Sequence, residues 1–170
     1  MSIKILAICG SIRLHSSNMG VLLALNKLLN RNFSFEILPS IESIPHFSPE
    51  LTIPTSVRNL RNKIKESDYV VICTPEYAHG IPGVLKNALD WLVSDEDFPN
   101  TKVGLIMAST GDAKNATSYL TEVLKTMSAD INSETTLNVS AVRNKVSKDG
   151  QILDVELEDA LKSFAANFFK

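Results

Sequence analysis

Polar residues that could bind a phosphate group follow the first apolar run of the chain. Residues 10–18 read GSIRLHSSN, so one short loop carries hydroxyls, a guanidinium and an amide, on Ser11, Arg13, Ser16, Ser17 and Asn18. Such groups beside the free backbone N–H groups of a following helix are typical phosphate ligands. A plain turn that caps a helix would use the same residues, and both interpretations are open at this point. With one glycine and no Gly-Lys pair, the loop is neither a dinucleotide-binding fingerprint nor a P-loop.

The second candidate loop, residues 74–83, reads TPEYAHGIPG and combines rigid with permissive backbone. Its prolines fix φ, whereas its glycines allow a ligand to approach closely. Tyr77 and His79 offer flat surfaces for a planar ring. The alternative is that Tyr77 packs on a neighbouring helix and that His79 is simply solvated. Glu76 could be a general base or an exposed carboxylate.

Five apolar runs predict the strands that position these loops, at residues 3–9, 33–38, 69–73 and 102–108, with a weaker one within 131–139. Apolar residues at helical spacing lie between and after them, with Ser16, Ser17 or Asn18 as candidate caps of the first helix and Thr55 or Ser56 of the second. This alternation predicts an α/β fold, a flavodoxin-like three-layer sandwich with a five-stranded parallel sheet.

The carboxyl edge of such a sheet is where ligands bind, at the point where the strand order switches. Three loops leave that edge in this sequence, at residues 10–18, 74–83 and 109–112. The third begins Ser109, Thr110, Gly111 and could be a tight turn and nothing more. We therefore expect the function to lie where these loops meet.

The amino-acid composition limits the classes of protein to which this chain can belong. The 170 residues are 44% hydrophobic and 21% charged, with a formal net charge of −2. That balance predicts one globular domain spanning residues 1–170, with no electrostatic footprint for nucleic acid and no apolar stretch long enough for a membrane span. Cys9 and Cys73 lie in apolar runs, which favours buried thiols in a reduced, cytoplasmic protein.

Several other chemistries do not match the spacing. A low-molecular-weight phosphatase needs Cys-x5-Arg, but His15 stands six residues after Cys9. A receiver domain needs an acidic pair after the first strand and an Asp at the end of the third, and neither Gly10-Ser11 nor Thr74-Pro75 supplies them. The Gly-x-Ser-x-Gly elbow of a hydrolase is absent, and the three histidines lack the spacing of zinc ligands. A planar ligand that carries a phosphate is the interpretation that survives.

Taken together, the loops resemble the NADPH-dependent FMN reductase family of flavodoxin-like proteins, which includes quinone, azo-dye and chromate reductases. The family pattern Gly-Ser-x-Arg-x-x-Ser-x-Asn is met from Gly10 to Asn18. A second pattern, Pro-Glu-Tyr followed by Gly-x-x-Pro-Gly-x-Leu-Lys-Asn-Ala-x-Asp-Trp, is nearly complete between Pro75 and Trp91. The similarity extends over effectively the whole chain.

The resemblance implies non-covalent FMN and a ping-pong reaction. NADPH or NADH would reduce the flavin, and a small acceptor such as a quinone, an azo compound, a flavin or a metal oxyanion would then take the electrons. It places the phosphate against Ser11, Arg13, Ser16 or Ser17 and Asn18. The isoalloxazine ring would lie against Pro75, Glu76, Tyr77, Ala78, Ser109, Thr110 and Gly111. No side chain need act as acid or base, because the cofactor carries the chemistry.

Two departures and two rival functions accompany this resemblance. Ala78 stands where the family usually has Asn, and residues 112–115 read DAKN where it usually has paired glycines. The rivals are a flavodoxin-type electron carrier and a flavin-free scaffold of the same fold. The family is commonly dimeric or tetrameric, and Trp91 at the border of its helix stripe could either face a partner or cap its own core.

Overall fold

One parallel sheet organises the computed structural model, which describes residues 2–170. Its strands are β1 (Ile3–Cys9), β2 (Phe33–Ile37), β3 (Tyr69–Thr74), β4 (Val103–Ala108) and β5 (Thr136–Val139). They are hydrogen-bonded in the order β2-β1-β3-β4-β5, and every neighbouring pair is parallel. The order switches between β1 and β3, so the crevice expected for a ligand opens above these two strands.

Five helices cover the two faces of the sheet. They are α1 (Ser17–Leu28), α2 (Thr55–Lys65), α3 (Gly83–Asp90), α4 (Lys114–Thr126) and α5 (Val155–Phe168). The buried side chains of α1 and α5 pack with one face of the sheet, and those of α2, α3 and α4 with the other. The predicted α/β three-layer sandwich with a five-stranded parallel sheet is confirmed. No helix in residues 2–170 has both the length and the apolar character needed to cross a membrane.

Burial explains which boundaries the sequence predicts well. Every residue of β3 and β4 is buried, so their apolar runs are continuous. The last strand, β5, begins well after the start of the predicted 131–139 segment. Asn132 accepts hydrogen bonds from the N–H groups of Glu134 and Thr135 and so holds residues 133–135 in a 3₁₀ turn. The predicted caps of α2 are wrong: Pro54 occupies the cap position, and Thr55 is already helical.

Trp91 caps the core of its own chain, one residue beyond α3. Its side chain is 2% exposed, and its indole N–H donates to the carbonyl oxygen of Pro45 at 2.7 Å. Phe47 packs edge-on against the ring at 5.1 Å. The Asn87 amide also donates to Pro45 O, at 3.0 Å, and accepts from the Phe47 N–H at 2.8 Å. The alternative of a ring left for a partner is therefore wrong, and these two residues of the long sequence pattern fasten the proline-rich 39–54 segment.

Candidate active site

A cavity of about 300 Å³ lies at the carboxyl edge of the sheet, where the loops after β1, β3, β4 and β5 meet. All predicted site residues except Ala78 and Gly111 line it. Four lining residues were not predicted. The full lining is Ser11, Arg13, His15, Ser16, Ser17, Asn18, Pro75, Glu76, Tyr77, Ala108, Ser109, Thr110, Val142 and Arg143. The three predicted loops are thus brought together, as the switch-point argument requires.

Two features of the sequence could have indicated the four lining residues that were not predicted. His15 lies inside the first loop, and Ala108 is the last residue of β4, so both follow from the strand ends already predicted. Val142 and Arg143 belong to the loop after β5. That loop also leaves the carboxyl edge of a parallel strand, and counting four loops there instead of three would have found it.

The first loop is held in place by its own side chains. Ser16 is the N-cap of α1, and its hydroxyl oxygen accepts the Asn18 N–H at 3.2 Å. The amide oxygen of Asn18 accepts the Cys73 thiol at 3.4 Å, which leaves its NH₂ group free to donate. The Asn18 NH₂ group and the Arg13 guanidinium therefore remain available as donors in this loop, as an anionic ligand requires.

Gly10 allows β1 and β3 to end side by side beneath this loop. Its N–H donates to the Cys73 carbonyl oxygen at 2.8 Å. A Cβ atom at residue 10 would lie 2.3 Å from Thr74 Oγ1 and 2.6 Å from Thr74 Cβ, and Thr74 is fully buried. No side chain fits at this position unless the strand ends move apart.

The second loop turns sharply between Tyr77 and Gly80, which exchange two backbone hydrogen bonds of 2.9 Å. The two central residues, Ala78 and His79, adopt left-handed φ values of 49° and 63°, the geometry of a type I′ turn. Among residues 2–170, neither of their N–H groups has a hydrogen-bond partner. The turn therefore presents two free backbone donors beside the cavity.

The side chains of this turn decide between the alternatives left open by the sequence. Tyr77 is 47% exposed and lines the cavity, so the interpretation of a tyrosine packed on a helix is wrong. The His79 side chain is 84% exposed, so it is solvated, and its Nδ1 lies 3.3 Å from Glu76 Oε1. Glu76 itself is only 16% exposed, which excludes a plain exposed carboxylate.

The third loop is tied to the end of β5. The Ser109 N–H donates to the Val139 carbonyl oxygen at 2.9 Å, and the Val142 N–H donates to Ser109 O at 3.1 Å. Farther out, Asp112 pairs with Lys114 at 3.1 Å. The hydrogen bond from the Lys114 side chain lowers the pKa of Asp112. The loop thus carries an ion pair at the position where the resembled family usually has paired glycines.

Cys9 and Cys73 are register neighbours on β1 and β3, below the cavity. Burial raises the pKa of Cys73 well above its ordinary value, and burial also raises that of Cys9. Both groups are therefore neutral thiols at physiological pH and poor nucleophiles. The prediction that they are core residues is confirmed.

Fold and cavity together define the class: an α/β protein with a donor-rich cavity at the switch point of a parallel sheet. The family model described as NADPH-dependent FMN reductase matches residues 3–143. The chain belongs to this enzyme family.

Individual relatives agree with that assignment. A quinone reductase of Escherichia coli (strain K12) is 30% identical over 161 residues, covering 89% of this chain and 86% of the relative. An NAD(P)H-dependent FMN reductase of Pseudomonas aeruginosa is 28% identical over 167 residues, covering 94% and 90%. Among solved structures, the NAD(P)H:(acceptor) oxidoreductase FerB from Paracoccus denitrificans matches with a TM-score of 0.87 and 27% identity, over 98% of this chain and 94% of that one.

Proposed function

We propose that this protein is an FMN-dependent NAD(P)H oxidoreductase that passes a hydride from NADPH or NADH, through bound FMN, to a small acceptor. The observation that carries the proposal is the cavity itself. In a member of this family, it combines the first turn of α1, the Tyr77 ring and the guanidinium of Arg13, which has no ion-pair partner among residues 2–170. A phosphate and a planar ring are the two ligand parts that such a lining suits.

The phosphate end of the flavin fits the first loop. Ser11, Arg13, Ser16, Ser17 and Asn18 line one part of the cavity, and the α1 N-terminus adds unpaired N–H groups and a favourable dipole. Because the Asn18 NH₂ group and the Arg13 guanidinium are donors, they match the oxygens of a phosphate, which are acceptors. These residues would bind and orient the cofactor without reacting.

The ring end of the flavin fits the two other loops. Pro75, Glu76 and Tyr77 line the cavity together with Ser109 and Thr110, and Ala78 and Gly111 are their neighbours in the chain. The free N–H groups of Ala78 and His79, in the turn that follows Tyr77, would donate toward a ring that gains negative charge on reduction. This chain would thereby stabilise the reduced cofactor through its backbone, a contact that does not need the missing Asn at residue 78.

The chemistry that the flavin supplies when bound is hydride acceptance at its ring and electron delivery to a second substrate, which gives a ping-pong order. The residues around the cavity need to admit each substrate in turn. Tyr77, nearly half exposed at the cavity, offers a surface for a flat acceptor. A quinone is our first choice, since relatives are named quinone reductase and 2-hydroxy-1,4-benzoquinone reductase. Azo compounds, free flavins and metal oxyanions are the further acceptors.

Steady-state kinetics test this proposal against a flavodoxin-type carrier. Initial rates measured with FMN-loaded protein, varied NADPH and several fixed benzoquinone concentrations should give parallel double-reciprocal lines. NADPH oxidation no faster than that of free FMN would contradict an enzyme. If such a protein still retained FMN, it would be a carrier instead.

Three further properties belong to the same proposal. Residues 1–170 would act as one FMN-binding unit, because one sheet carries both halves of the core. A cytoplasmic location is supported by two buried free cysteines.

A homodimer or homotetramer is supported by exposed Val93 and Tyr119, which share a groove between the end of α3 and α4. Light scattering on a sizing column would determine the assembly state.

A further inference from the structure

Arg143 lies at the cavity on a backbone segment that is held in place by its neighbours. It is the central residue of the 3₁₀ helix Val142–Asn144, which begins after β5 at Ala141, a residue with a left-handed φ of 50°. The preceding residue, Val142, is 3% exposed, and its N–H donates to Ser109 O. The backbone of Arg143 is therefore fixed by the core on one side and by the third loop on the other.

The segment that carries Arg143 lies against α1, at whose N-terminus the first loop ends. The 3₁₀ helix contacts α1. A few residues farther on, a Cβ atom at Gly20 would lie 2.3 Å from the Ser147 carbonyl oxygen. Gly20 is in the first turns of α1, so the chain after β5 runs close to the phosphate loop. Arg143 and Arg13 line the same cavity from these two segments.

No acidic side chain in residues 2–170 lies within ion-pair distance of either guanidinium. Lys145, close by in the chain, lies 3.7 Å from Asp154 and 3.5 Å from Glu156. Among residues 2–170, the arginine side chains that do have partners are those of Arg58 and Arg61. Glu76, the acidic residue of the cavity lining, belongs to the second loop and contacts His79 there. The first loop and the 3₁₀ helix therefore bring two guanidiniums to the cavity that form no ion pair with any of residues 2–170.

We infer that Arg143 is a second cation for the phosphate of bound FMN, an inference that rests on the proposed function. A phosphate monoester carries a charge of roughly −1.5 to −2 at neutral pH. One guanidinium leaves part of that charge unmatched, whereas Arg13 and Arg143 together neutralise it. The pair makes the site selective for FMN over riboflavin, which has the same ring and ribityl chain but no phosphate.

Flavin titrations of three variants test this role. Arg143→Gln removes the charge, Arg143→Lys keeps it without the guanidinium fork, and Arg31→Gln removes the same charge at the amino end of β2, away from the cavity. We expect Arg143→Gln to raise the Kd of FMN about tenfold, as for one charge-assisted hydrogen bond, and to leave the Kd of riboflavin unchanged. Arg143→Lys should fall between wild type and Arg143→Gln. Arg31→Gln should match wild type.

Salt gives an independent readout of the same contact. Added NaCl should weaken FMN binding by wild type more than by Arg143→Gln, because the variant has lost one of two screened contacts. Equal weakening of FMN and riboflavin in Arg143→Gln would overturn the inference, since the residue would then act on the ring or the fold. An unchanged FMN Kd with a raised KM for NADPH, but not for NADH, would also overturn it and assign the cation to the dinucleotide. Wild-type protein that binds no FMN would remove the proposed function itself.

Discussion

Tyr77 and Gly80 exchange backbone hydrogen bonds of 2.9 Å in both directions, and this ladder forces the two residues between them into the left-handed region. Histidine is among the residue types enriched in this region, but alanine is not. The turn beside the cavity is therefore strained in this chain, at the position where the family usually has Asn.

Relief of that strain should stabilise the protein. We expect Ala78→Gly to raise the free energy of unfolding by roughly 0.5–1 kcal/mol, because glycine adopts positive φ without a steric cost. Ala78→Asn should raise it by a smaller amount. Denaturant unfolding measures the change. Ala165→Gly in α5 is the matched control and should lower the free energy of unfolding by about 1 kcal/mol. Destabilisation by Ala78→Gly would mean that the turn is not left-handed.

Arg13 should contribute strongly to FMN retention. We expect Arg13→Ala to weaken FMN binding by about 1.5–3 kcal/mol, the range for loss of a hydrogen bond to a charged group. Riboflavin binding should change little, because riboflavin lacks the phosphate. Fluorescence titration with the two flavins provides the comparison, and unchanged FMN affinity would place the phosphate elsewhere.

The strand ends beneath the first loop should not tolerate a side chain at Gly10. Gly10→Ala would place a Cβ atom 2.3 Å from Thr74 Oγ1, so we expect a loss of about 1–3 kcal/mol in unfolding free energy together with weaker FMN binding. Gly83→Ala is the control, since a Cβ atom there meets nothing within 4 Å and should cost little. Equal Tm values for the two variants would argue against the close approach.

The Trp91 indole should matter for the fold and not for the flavin. Trp91→Phe keeps a ring but removes the donor to Pro45 O, and we expect a loss of roughly 1–2 kcal/mol in stability. FMN affinity should be unchanged in the folded variant, because Trp91 does not line the cavity. A large rise in FMN Kd would give this residue of the long sequence pattern a role in the site.

Buried thiols should make the protein less stable in alkali. Burial holds the pKa of Cys73 well above its ordinary value of 9.0, so the folded state keeps a proton that the unfolded state loses. This stabilisation is full below pH 9.0 and declines as the pH rises toward the folded pKa. Unfolding free energies measured above pH 9.0 should fall less steeply in Cys73→Ala than in wild type. Identical slopes would mean that Cys73 ionises as readily in the folded protein as in the unfolded chain.

The sequence predicts most of the fold because burial is continuous where it matters. The bounds of β1 are predicted to the residue, and those of β3 and β4 to within one residue, since both faces of these strands are covered. The edge strand β5 has only one buried residue, Val139, so its start depends on the side-chain hydrogen bonds of Asn132, which periodicity does not reveal. The loop after β5, with Arg143, leaves the same carboxyl edge as the three predicted loops but follows the strand with the weakest apolar signal.

The site was less predictable than the fold, because the roles of several of its residues depend on the local backbone conformation. The types of Glu76 and Tyr77 leave several roles open, and only the structure separates them, with the Glu76 side chain 16% exposed and Tyr77 47% exposed. The cap of α1 could have been any of three polar residues, and Ser16 is the one whose backbone is extended at the helix start. Local geometry of this kind depends on the neighbouring strand ends.

Anaerobic reduction of the FMN-loaded protein is the most direct test of the central claim. Addition of one equivalent of NADPH or NADH should bleach the flavin absorbance, and subsequent addition of benzoquinone should restore it, with one quinone reduced for each nicotinamide oxidised. A protein that takes up no FMN, or whose bound FMN keeps its colour in the presence of both NADPH and NADH, would contradict the account.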